Sequence, residues 1–176
     1  MHLRFAMNEI PYWSARYAYV RDEEPLIERA SAIRQRKHLT TSDLSAVCKW
    51  KSPRSANHAL SNDDEYVAAV TGTALSAKSE RFRIEVLTCL SGVNWPTASV
   101  ILHLFHEDPY PIVDVRALWS VSSGTPPAYT FSFWMVYVGF CRQMANKADV
   151  SMRTLDRALW QYSKENQEPA RAKSSR

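Results

Sequence analysis

Apolar residues recur along this chain at three- and four-residue intervals, with no strong strand-like alternation anywhere, so the pattern predicts helices throughout. After Pro25, the residues Leu26, Ala30 and Ile33 share one helical face, and the run Arg34, Arg36, Lys37 puts cations at its C-terminal end. Thr41 or Ser42 is placed to cap a second helix through Ala46, Val47 and Trp50, which stops at Lys51-Ser52-Pro53-Arg54. A short helix around His58 and Leu60 follows. The next is led by Asp63, Asp64 and Glu65 and carries Tyr66, Val67, Val70 and Ala74 on its face.

Ile84, Leu87 and Leu90 predict a helix that ends at Gly92, and Ala98, Ile101 and Leu102 predict another that begins a few residues later. After Asp114 a helix through Leu118 and Trp119 breaks at Ser122-Ser123-Gly124-Thr125-Pro126-Pro127, a loop by composition. A long aromatic helix then shows Tyr129, Phe133, Val136, Tyr137, Phe140 and Met144 as a broad stripe. Ser151 is placed to cap the last helix, on which Met152, Leu155, Leu159 and Tyr162 share a face. Residues 1–21 mix aromatics with arginines without a clean period and read as an arm lying across the fold. The fold class is therefore all-α: one compact helical domain over residues 1–165, followed by a basic, disordered tail over residues 166–176.

Composition narrows the function classes without choosing one. A chain of 176 residues with 45% hydrophobic content buries one respectable core. A net charge of +4 suits an anionic partner. Cys48, Cys89 and Cys141 form neither a CxxC pair nor an even set, which indicates no disulfide framework and no zinc site. Three thiols fit a reducing cytoplasm, and Arg4, Glu9, Arg16 and Arg21 break the N-terminus too often for a signal peptide or a membrane span. His103 and His106 stand at i, i+3 near Glu107 and Asp108, without the carboxylate placement a metal site needs.

The densest chemistry lies around Leu90-Ser91-Gly92-Val93-Asn94-Trp95-Pro96-Thr97-Ala98. Gly92 takes positive φ freely, Asn94 visits the left-handed region at modest cost, and Pro96 is tolerated in the first turn of a helix. Backbone N–H groups at such a turn, beside a helix N-terminus, attract a phosphate. The segment resembles the hairpin of the helix-hairpin-helix DNA glycosylase superfamily that includes endonuclease III, which reads roughly L-P-G-V-G-x-K-T-A. Leu90, Gly92, Val93, Thr97 and Ala98 fit that pattern. The family places its catalytic aspartate eighteen residues beyond the hairpin lysine position in a V-D sequence, and Asp114 in Val113-Asp114 stands eighteen residues beyond Pro96. Asn94 replaces the second hairpin glycine. Pro96 replaces the lysine that is the amine nucleophile of bifunctional members. The resemblance covers residues 87–119.

What the resemblance implies is a monofunctional DNA glycosylase that flips a damaged or modified base from double-stranded DNA and hydrolyses its glycosidic bond. Asp114 would stabilise the charge building on the sugar or orient the water. The hairpin residues Gly92, Val93, Asn94, Trp95 and Thr97 would hold the DNA backbone, with Lys51, Arg54 and Arg116 as further phosphate contacts. Trp50, Tyr110, Trp119 and Trp134 are candidate walls for the extruded base. The hairpin carbonyls of relatives also hold a monovalent cation. The iron–sulfur cluster of some relatives needs four cysteines, so none is expected, and apart from a monovalent cation at the hairpin no metal or other cofactor is implied. Plainer roles stand beside these: Asp114 as a helix cap, Arg116 as a surface ion pair, Lys51 and Arg54 as solvated charge, the aromatics as core, and the hairpin as a simple αα-corner. Pro96 has no amine, and the sequence places neither Lys51 nor Lys78 near Asp114, so hydrolysis without strand cleavage is expected. The alternatives are a catalytically inactive helix-hairpin-helix DNA-binding module and a helical interaction protein. Oligomeric state stays open.

Overall fold

The computed structural model describes residues 1–123 and 128–168, and among these every regular element is helical. Residues 124–127 of the expected loop and 169–176 of the expected tail lie outside the described residues. Among the described residues, no helix is long and apolar enough to cross a membrane.

The N-terminal arm pairs its backbone with the end of a later helix, through His2 N to Val121 O at 3.1 Å and Arg4 N to Ser120 O at 2.9 Å. It then forms α1 (Ile10–Ala15). α2 (Glu24–Arg36) buries Leu26, Ala30 and Ile33 and ends at Lys37 with φ 61°. α3 (Thr41–Lys51) is capped by Thr40, not by Thr41 or Ser42. Thr40 Oγ1 accepts the Asp43 N–H at 3.2 Å while Asp43 accepts the Thr40 N–H at 3.0 Å. This reciprocal box needs an acid three residues after the cap, and only Thr40 of the three has one.

α4 (Ala56–Ala59), α5 (Asp64–Ser76), α6 (Glu80–Leu87) and α7 (Trp95–Phe105) follow. The turn between α6 and α7 differs locally from the sequence expectation. α6 ends at Leu87, before Leu90, and Gly92 takes φ 84°. Asn94 is extended (φ −117°, ψ 179°) and not left-handed, because it is the N-cap of α7 and its side chain accepts the Thr97 N–H. Then come α8 (Val115–Ser120), α9 (Phe131–Ala148) and α10 (Met152–Asn166), the last capped by Ser151. On α9 the buried stripe is Trp134, Tyr137, Val138, Cys141 and Ala145, while Tyr129 precedes the helix and Val136 is 61% exposed. Ser132, Gly139, Gln143 and Asn146 form the exposed face opposite this stripe, and Val136 lies on that face, one of the apolar residues that blurred its phase in the sequence.

α7 is the hub of one group of helices, packed by α2, α3 and α6, with α5 behind α3 and α6. α10 is the hub of a second group and is packed by α1, α8 and α9. Residues 109–114, which form no regular element, join the groups, and the seam between them holds the candidate site.

Candidate active site

Asp114 is placed by a segment whose backbone is clamped on both sides. Val113 N–H donates to Ser99 Oγ at 2.9 Å, Ile112 N–H to Asp156 Oδ1 at 3.3 Å, and Tyr137 Oη–H to Ile112 O at 3.1 Å. Ser99 Oγ–H in turn donates to Pro96 O at 2.7 Å, which ties the first turn of α7 to the carboxylate-bearing segment. Buried backbone groups without strand partners need such acceptors and donors, so these side chains set the position of Asp114. Asp114 then N-caps α8, its Oδ1 accepting the Arg116 N–H at 2.9 Å.

The other carboxylate oxygen meets an amine. Lys51, in the last turn of α3, donates from Nζ to Asp114 Oδ2 at 2.8 Å, and its side chain is only 9% exposed. This corrects the expectation of a phosphate-binding surface lysine: the packing of α3 turns Lys51 into the seam. Burial pushes the Asp114 carboxyl up, but the Lys51 ammonium, its hydrogen bond and the Arg116 N–H pull it down further. The net value lies below the ordinary 3.8, and the carboxylate is charged at neutral pH.

Around this pair lies a small cavity lined by Tyr17, Tyr19, Trp50, Ile112, Asp156 and Trp160. Trp160 meets Tyr17 and Tyr19 edge-on, at centroid distances of 5.4 and 5.1 Å. Trp50 packs against Tyr19 at 5.1 Å. The Arg116 guanidinium sits 5.6 Å over the Trp160 ring, so it is held by cation–π contact beside the site and is not a free surface charge.

The strap from Arg16 to Glu23 closes one side. Ala18 N–H donates to Gln161 Oε1 at 3.0 Å, Arg21 donates to Trp50 O at 3.1 Å, and Glu23 pairs with Arg153 and Arg157 of α10. The pocket is partly open, and its interior volume is about 20 Å³, the space of about one water.

Other expected site residues lie elsewhere. Tyr110 and Trp134 are fully buried and stacked on each other at 6.0 Å, with the Tyr110 hydroxyl bonded to Glu80 and Arg83, so they are core and do not line the Asp114 cavity. Trp119 stacks on Tyr162 under the Arg4 guanidinium, away from the cavity. His103 Nδ1 is engaged by Tyr110 O at 2.6 Å. Arg54 is exposed, in the 3-10 turn after α3.

At the hairpin, Val93 and Thr97 are buried, while Trp95 is half-buried. Gly92 approaches α4 so closely that a Cβ would stand 2.7 Å from Ser55 O and 3.0 Å from Ala59 N. Among the described residues, the N–H groups of Gly92 and Asn94 have no hydrogen-bond partner. The carbonyls of Leu90, Ser91 and Gly92 accept from Val93 N, Asn62 Nδ2 and Cys48 Sγ.

Sequence reasoning overlooked Tyr17, Tyr19, Asp156 and Trp160. For Asp156 a signal existed: it falls within the apolar face of α10, four residues after Met152 and three before Leu159, where an acid needs a reason. No protein-family model, curated protein or solved structure matches the chain.

Proposed function

We propose that this chain is a DNA N-glycosylase that receives an extruded base at the seam and breaks its glycosidic bond with the help of Asp114. The observation that carries the reading is a carboxylate kept charged on a clamped backbone segment, at the wall of an aromatic-lined cavity. Base departure leaves positive charge on the sugar, and a fixed carboxylate in a partly dry site stabilises that charge strongly. Tyr17, Tyr19, Trp50 and Trp160 supply flat apolar walls of the kind an extruded base stacks against.

Two further features support a DNA partner. The unpartnered N–H groups of Gly92 and Asn94 flank the N-terminus of α7, where a backbone phosphate is favoured. Arg54 presents a surface cation near the same turn, since Ser55 O lies against Gly92. A cavity with room for one water must widen to admit a base, so the strap carrying Tyr17 and Tyr19 has to part from Trp160 and Trp50. The same closure favours one alternative, a DNA-binding module that uses the turn and performs no chemistry.

The test is release of free base from a panel of damaged and modified duplexes, read by mass spectrometry, for the native chain and for Asp114→Asn. Release by the native chain and not by a variant that still binds DNA is the expected result. Salt-sensitive binding without release across the panel would replace glycosylase with the silent module.

A further inference from the structure

Pro96 leaves the hairpin without an amine, yet the fold delivers one to Asp114 from another helix. We propose that Lys51 is a catalytic nucleophile: after base removal it forms an imine with C1′ of the abasic sugar and promotes cleavage of the strand on its 3′ side. The inference rests on the DNA glycosylase reading of the same site.

Lys51 Nζ lies 2.8 Å from the carboxylate proposed to face C1′, so any sugar carbon close to Asp114 is also within reach of this nitrogen. Among the described residues, no other lysine lines the cavity. Lys49 and Lys78 are exposed, and Lys164 donates to Ala18 O at 2.7 Å. Holding a lysine 9% exposed gives up hydration and rotamer freedom that an apolar residue of similar length would not. The Arg116 N–H already satisfies one carboxylate oxygen, so capping of α8 does not require the amine. Pairing with Asp114 accounts for a cation at this position but not for the choice of a primary amine, which carbonyl chemistry requires.

The step balances without an oxidant or a reductant. Asp114 takes one proton from the ammonium, the freed Nζ lone pair bonds C1′ of the ring-opened sugar, and the aldehyde oxygen leaves as water with that proton and a second one from the nitrogen, giving a protonated imine. Asp114, freed of its partner, accepts a proton from C2′. The electron pair left behind moves through the C2′–C3′ bond and expels the 3′ phosphate, and water then hydrolyses the imine to restore Lys51.

The experiment uses a duplex with one preformed abasic site, incubated with the full chain and borohydride, which reduces the imine to a stable amine. A covalent protein–DNA adduct that peptide mass mapping places on Lys51 is the expected result. Lys51→Arg keeps the charge beside Asp114, cannot form the imine, and should lose both the adduct and strand cleavage. Lys51→Cys treated with bromoethylamine should regain them, with the equally treated Lys51→Ala protein as the control for the native thiols.

No adduct from the native chain, or an adduct mapped to another amine, overturns the proposal, and mapping on the native chain does not depend on how any variant folds. Because the duplex already lacks its base, this outcome is independent of base release. Release without trapping would leave the glycosylase reading standing and remove the imine. Trapping at Lys51 without release from any duplex would do the reverse.

Discussion

The Lys51–Asp114 pair makes a quantitative demand on stability that is separate from catalysis. Lys51→Met keeps most of the stem volume and removes the charge, while Asp114→Asn removes the opposite charge and keeps a good N-cap for α8. Exposed ion pairs contribute about 0–1 kcal/mol, and breaking a fully buried pair costs about 3–5 kcal/mol. With side chains 9% and 24% exposed, this pair falls between those limits. Each single variant should lose about 1–3 kcal/mol, and the double variant less than their sum, with a coupling of about 1–2 kcal/mol. In a chain of this length, each kcal/mol lowers the melting temperature by roughly 2–4 °C.

Urea unfolding of the four proteins at neutral pH measures the coupling, and repeating the cycle in acid tests its cause. The folded Asp114 carboxyl lies below its ordinary 3.8, so its contribution is complete above that value and is lost as pH falls through the depressed folded one. A coupling below about 0.3 kcal/mol at neutral pH, or one that persists unchanged in strong acid, would show that the two side chains do not form the pair described.

Three other expectations follow from particular contacts. Gly92→Ala forces an L side chain to φ 84° and drives its methyl into Ser55 O at 2.7 Å, so it should cost about 2–4 kcal/mol in chemical unfolding; a loss below about 1 kcal/mol would mean that the turn relaxes at little cost. Ser99→Ala removes the acceptor of the Val113 N–H and should cost about 1–3 kcal/mol. If Asp114 acts as proposed, this variant also slows base release while leaving DNA affinity unchanged, and a fall in affinity alone would count against the clamp. Cys89 is exposed, whereas burial pushes the Cys48 thiol up to about 11 and also buries Cys141. A disulfide reagent should therefore titrate one fast thiol in the folded protein and three after unfolding, and two fast thiols would contradict the packing of α3 or α9.

Much of the helical framework was legible in the chain itself, because 3.6-residue periodicity and capping chemistry are local properties. Ser151 and Pro25 mark helix starts, Gly92 marks a turn that needs positive φ, and Asp114 stands one residue before α8 in a position an aspartate favours. Where local rules tied, the reading slipped. Three consecutive hydroxyl residues competed for one cap, and on the aromatic helix Val136 sits on the exposed face of Ser132, Gly139, Gln143 and Asn146, which blurred its phase.

The candidate site was only half legible, since its members come from α3, the strap, the segment before α8, and α10. Asp114 could be singled out because its spacing from the hairpin is a sequence property. Nothing in the order of residues says that Lys51, sixty-three positions away, meets it. That encounter depends on the α6–α7 turn passing against α4 through the bare Cα of Gly92, on Ser99 holding the 112–114 segment to α7, and on Glu23 fastening the strap to α10. Periodicity fixes which face of a helix is apolar, but the side chains that share a seam are chosen by how separate helices pack.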